Sequence, residues 1–183
     1  GELWVTGTAG AGVALIPGEM ASVGVLMEQS SLIEGTSGER MSITGTGAAV
    51  TATGSSFGTF ITGSTVSNTG CHMTLHGTGG QASTGASRGL VVTGASEVLC
   101  LGSTTSFLSG SAASAALAPV GVAGSLGCHI SADSTVEGNT TGATIGLNGT
   151  SAATDTSSWG LVIEGTLTGN GAEFSLDGAS VNS

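Results

Sequence analysis

One short phrase returns six times along this 183-residue chain. It stands at Leu3-Trp4-Val5-Thr6-Gly7-Thr8, Met41-Ser42-Ile43-Thr44-Gly45-Thr46, Met73-Thr74-Leu75-His76-Gly77-Thr78, Ser106-Phe107-Leu108-Ser109-Gly110-Ser111, Ile145-Gly146-Leu147-Asn148-Gly149-Thr150 and Phe174-Ser175-Leu176-Asp177-Gly178-Ala179. Counted from its glycine, the phrase recurs every 29 to 39 residues. Self-similarity at such a period marks a stacked architecture, in which each repeat buries its apolar face against its neighbours.

The phrase alternates as a strand does. Two residues before the glycine stand Val5, Ile43, Leu75, Leu108, Leu147 and Leu176, and four before it Leu3, Met41, Met73, Ser106, Ile145 and Phe174. Only Ser106 is polar, so with side chains alternating across a strand these positions form a core column. The positions flanking the glycine are polar apart from Ala179 and point outward, and the inward glycine lets another backbone approach.

A second phrase follows: Gly24-Val25-Leu26-Met27, Gly58-Thr59-Phe60-Ile61, Gly89-Leu90-Val91-Val92, Gly121-Val122-Ala123 and Gly160-Leu161-Val162-Ile163. A third centres on Leu32, Val66, Val98, Val136 and Leu167, which precede the next first-phrase glycine by 13, 11, 12, 13 and 11 residues. Three phrases make one turn. The pattern predicts an all-β chain: a right-handed three-sided parallel β-helix (β-solenoid) of about five coils plus a final strand, one domain over residues 1–183. At about 4.8 Å per coil the rod is roughly 25 to 30 Å long. Length variation falls in loops, the two largest at residues 9–23 and 123–134.

Composition agrees. Thirty-four glycines and 8% charged residues depart from ordinary globular usage, yet a mean hydropathy of +0.39 is too apolar for disorder. With only two prolines and no glycine at every third position, collagen is excluded. The formal charge is −10, with Arg40 and Arg88 the only strongly basic residues, so nucleic acid and anionic lipid are poor partners. No apolar run is long enough to insert in a membrane as a helix. A start at Gly1 points to a mature secreted chain or a segment of a longer one.

Chemistry has little to work with. Cys71, Cys100 and Cys128 are odd in number and lack CxxC spacing. Cys71-His72 and Cys128-His129 resemble metal pairs, but adjacent strand residues face opposite ways, so no metal or other cofactor is expected. The titratable groups are Asp133, Asp155, Asp177, nine glutamates and three histidines, with no lysine, and no catalytic residues are expected. Gly77-Thr78-Gly79-Gly80 lacks the aspartate of calcium-binding β-rolls. Outward threonines at 6, 8, 44 and 46 suggest an ice-binding ladder, but His76, Ser109, Asn148 and Asp177 interrupt it.

Two surfaces invite association. If the first and third residues after each second-phrase glycine face inward, Leu26, Phe60, Val91 and Val162 form an outward apolar stripe; the opposite phase exposes Val25, Met27, Leu90, Val92, Leu161 and Ile163 instead. No cap is apparent at either end, which is expected either of a segment of a longer surface solenoid or of subunits that stack end to end into fibres, with Leu3 and Val5 at one end and Phe174 and Leu176 at the other as the stacking strands.

The order Ile-Thr-Gly-Thr-Gly, loop, Gly-Val-Leu, then Ser-x-Val resembles the Gly/Thr-rich parallel β-helix repeats of bacterial secreted surface proteins, the filamentous-haemagglutinin type adhesins. The resemblance implies an extracellular, cell-surface structural or adhesive rod, without catalytic residues, that meets a host-cell or surface receptor. The expectation is a homo-oligomer or fibre. A trimeric phage tail-fibre or tailspike segment is the alternative and an ice-binding solenoid a lesser one.

Overall fold

The protein is a three-sided parallel β-solenoid in a computed structural model that describes residues 2–11, 20–36, 40–51, 54–83, 85–102, 105–114, 124–153 and 158–182. The first coil runs through β1 (Glu2–Thr8), β2 (Met20–Met27) and β3 (Leu32–Gly35), the second through β4 (Arg40–Thr46), β5 (Ser55–Thr62) and β6 (Thr65–Thr69). The third holds β7 (His72–Gly79), β8 (Ser87–Thr93) and β9 (Glu97–Leu101); the fourth, β10 (Thr105–Ala112), β11 (Ser125–Ile130) and β12 (Thr135–Gly138). The fifth holds β13 (Thr144–Ala153), β14 (Ser158–Ile163) and β15 (Thr166–Gly169), and β16 (Glu173–Asn182) follows. Every third strand pairs, all in parallel: sheet A is β1-β4-β7-β10-β13-β16, sheet B β2-β5-β8-β11-β14, and sheet C β3-β6-β9-β12-β15.

Sheet A keeps the register that its glycines predict, with Gly7, Gly45, Gly77, Gly110, Gly149 and Gly178 opposite one another. Ile43, Leu75, Leu108 and Leu147 are fully buried behind it, in one core cluster with Met27, Ile61, Val92 and Ile130 of sheet B and Val66, Val98 and Val136 of sheet C. Ser106, the polar member of the column, is also buried, and Asn68 Nδ2 lies 3.5 Å from its hydroxyl. Glycines with φ between +76° and +91°, at 70, 102, 142 and 171, turn the chain from sheet C back to sheet A.

Two sequence assignments need correction. The fourth copy of the second phrase, Gly121-Val122-Ala123, lies outside the described residues, and the strand that fills its place is β11, with Cys128 opposite Leu90 and Leu161. Gly127 therefore takes the glycine position, and the extra length sits between sheets A and B, not at residues 123–134. The physical reason is the column: Cys128 and Ile130 supply two inward apolar side chains, fully buried, and cysteine packs as a small hydrophobe. In the first coil the inward residue of the third phrase is Ile33, not Leu32. Ile33 pairs with Val66 and packs on the core, while Leu32 pairs with Thr65 and is exposed.

Sheets A and B meet backbone to backbone along their glycines. A Cβ placed on Gly110 would lie 1.8 Å from the Gly127 carbonyl oxygen, and one on Gly149 would lie 1.9 Å from that of Gly160. This pinch divides the interior. On one side is the apolar core; on the other, the residues two before each sheet B glycine form an inward column of Ser22, Ser56, Ser87, Ser125 and Ser158, all buried. Against it lie small residues two beyond the sheet A glycines: Gly47, just past β4, and Gly79 and Ser151 within β7 and β13. The arcs that close this second lobe also stack, with a parallel bridge between Val50 and Ala82.

The serine hydroxyls tie the lobe together. Ser22 Oγ accepts from the Ala48 N–H (2.7 Å); Ser56 Oγ donates to the Ala48 carbonyl (2.8 Å) and accepts from the Gly80 N–H (2.9 Å); Ser125 Oγ donates to the Ala113 carbonyl (2.9 Å). The Ser87 hydroxyl is buried without a hydrogen-bond partner among the described residues.

Candidate functional surfaces

The outer face of sheet A is polar and laddered. His76 Nδ1 lies 2.8 Å from Ser109 Oγ and Nε2 3.1 Å from Thr78 Oγ1, the Ser111 and Thr150 hydroxyls are 2.7 Å apart, and Asn148 Nδ2 donates to Asp177 Oδ2 at 3.3 Å. Partial burial lowers the His76 pKa, favouring the neutral imidazole. His76 and Ser109 thus form a base–hydroxyl pair, but the group that orients the imidazole is a threonine, not a carboxylate. The sequence places these residues in one outward column; which of them bond follows from register.

Two aromatic rings stand on this face. Trp4 and Phe107 occupy the column three residues before the glycine and are exposed, with the Arg40 guanidinium 5.9 Å from the centre of the Trp4 ring. Phe107 separates two grooves, one of ≈ 310 Å³ lined by Arg40, His72, Met73, Thr74 and Thr105, the other of ≈ 370 Å³ lined by Leu108, Ser109, Gly146, Leu147, Asn148, Ser175 and Asp177. The threonines of this face recur in the sequence and mark it, whereas its two rings occur in only two of the six copies and leave no periodic signal.

On sheet B the first of the two phases holds. Val25, Met27, Leu90 and Val92 are buried with the core, and Leu26, Phe60, Val91, His129 and Val162 lie opposite one another in an outward column. The stripe is uneven: Leu26 is 44% exposed, Phe60 and Val162 are half-buried, and Val91 is only 1% exposed. His129, brought into the column because β11 and not residues 121–123 fills this place, breaks the stripe, its Nε2 lying 3.2 Å from Glu164 Oε2. The neighbouring outward column holds Phe57, Arg88, Leu126 and Trp159, with Arg88 5.7 Å from the centre of the Phe57 ring. Burial lowers the Arg88 pKa.

Each Cys-His dipeptide is split by the wall. Cys71 and Cys128 are buried, His72 is exposed and His129 faces out. None of the cysteines is in a disulfide, and burial raises all three thiols, Cys100 to about 11 and Cys128 to about 12. Among the described residues no three His, Cys, Asp or Glu side chains converge on a metal position.

At the two ends the core shows through. Leu3 is 37% and Leu176 52% exposed, while Val5 and Phe174 are partly buried against the core. β1 and β16 are the edge strands of sheet A, β2 and β14 of sheet B, and β3 and β15 of sheet C. Compared with protein-family models, with curated proteins and with solved structures, the chain matches none.

Proposed function

We propose that this protein is a non-enzymatic structural rod of the extracellular surface, adhesive in character, whose copies join end to end. The observation that supports this reading is the likeness of the two ends. A second copy set on β16 in the register that runs through sheet A brings Leu3 and Val5 over Phe174 and Leu176, and Gly7 over Gly178. In sheet B the same step brings Ser22 over Ser158 and Val25 over Leu161, so both lobes continue. Such a contact is heterologous and does not close, and it covers exposed core and unpaired edges together.

The join also sets like charges against each other, Glu2 over Glu173 and Glu28 over Glu164, a mildly destabilising arrangement in a ladder. Sedimentation velocity and negative-stain imaging of the 183-residue chain test the reading. Rods longer than one unit are expected, more abundant at high salt or with Glu2→Gln plus Glu173→Gln, and lost with Leu176→Lys. A stable monomer under all these conditions, in chains that remain folded, refutes it.

A further inference from the structure

We propose that the outer face of sheet A carries an oligosaccharide-binding groove centred on Phe107 and directed along the rod axis. The two grooves noted above share Phe107 as a wall and together reach from β4 to β16, about 19 Å at the spacing of paired strands. Their volumes lie at the small end of the range for small-molecule sites.

The ring is held in place. Phe107 stands opposite Gly146 in the ladder, and a Cβ on Gly146 would come within 2.9 Å of its Cδ1. The absence of a side chain there lets the ring rest against β13. It is nevertheless 54% exposed, an open apolar platform among polar groups.

Those groups suit hydroxylated ligands. The Asn148–Asp177 bond uses one amide N–H and one carboxylate oxygen, leaving a second N–H, an amide oxygen and a second carboxylate oxygen without protein partners among the described residues. Donors and acceptors paired on planar groups are what vicinal sugar hydroxyls require, and a flat ring is what the C–H face of a pyranose requires. The opposite groove adds Thr74, His72 and Arg40. A phosphate polymer is disfavoured, because Arg40 is the only arginine in either groove and the chain as a whole carries −10. A flexible apolar peptide would use the ring but not the amide–carboxylate pair.

The proposal does not depend on end joining. Calorimetric titration of the 183-residue chain with cellohexaose, maltohexaose, chitohexaose and hexagalacturonate tests it. At least one should bind with a Kd of about 1 mM or tighter, and Phe107→Ala should weaken that binding about tenfold or more. Gly146→Val, which displaces the ring without removing it, and Asp177→Ala should each weaken it about threefold or more. Trp159→Ala, which removes an exposed ring from sheet B, should leave binding unchanged, and circular dichroism should show every variant folded. No binding by any of the four at about 10 mM overturns the proposal. So does binding that survives Phe107→Ala, or that Trp159→Ala weakens equally.

Discussion

Two substitutions of the same kind, one coil apart in the inner serine column, should behave oppositely. Ser56 and Ser87 occupy equivalent positions, and both are fully buried. Ser56→Ala removes two hydrogen bonds and leaves the Ala48 carbonyl and the Gly80 N–H to find other partners. At about 1 kcal/mol for each bond, and with Ala48 and Gly80 themselves half-buried so that water offsets part of the desolvation, the expected loss is about 2 kcal/mol. Ser87→Ala removes a hydroxyl that is buried without a partner among the described residues, and the methyl that remains suits an interior better. Its expected effect lies within about 0.5 kcal/mol of zero or is stabilising. Urea unfolding followed by circular dichroism measures both. Unfolding midpoints under identical conditions are compared. Equal destabilisation by the two substitutions would refute the assignment of this column as a hydrogen-bonding seam, because loss of packing would then account for both.

The glycine pinch makes a harsher prediction. Gly110→Ala sets a methyl 1.8 Å from one backbone oxygen and 2.6 Å from the Leu90 nitrogen, atoms that cannot rotate aside, so a loss of about 4 kcal/mol or failure to fold is expected. By contrast Gly10→Ala, with no atom of the described residues beyond its chain neighbours within 4 Å of the added methyl, should be near neutral in the same unfolding assay. Cys100 and Cys128 should resist iodoacetamide at pH 8 in the folded chain and react once it is unfolded in urea, as mass spectrometry would show. Because their folded pKa values of about 11 and about 12 exceed the thiol's value of 9.0 in unfolded chain, their contribution to stability is complete below about pH 9 and declines as the pH rises through the folded values.

Much of the fold is legible in the sequence because strand periodicity is local. The column Ile43, Leu75, Leu108, Leu147 announces which side of sheet A faces in, and the spacing between phrases announces the coil. The fourth sheet B strand was lost because Gly121-Val122-Ala123 imitates its neighbours over three residues. A longer signal separates the two: Ser-x-Gly precedes the apolar residues in all five copies, at Ser22, Ser56, Ser87, Ser125 and Ser158. Leu32 misled for a related reason, since Leu32 and Ile33 are both apolar and only pairing with Thr65 and Val66 fixes which points inward.

The sequence by itself therefore determined the kind of object: stacked parallel coils, an aliphatic core, and an outer wall rich in threonine and serine and poor in cations. Tertiary structure alone decided how closely sheet A approaches sheet B, and with it the pinch and the second, serine-lined lobe. It also decided that Phe107 comes to rest over Gly146 and opens a groove on either side, while Val91 in an equally outward column is covered. Alternation along one strand specifies a side, but contact between strands depends on distances across a sheet and between sheets, which no single stretch of sequence records.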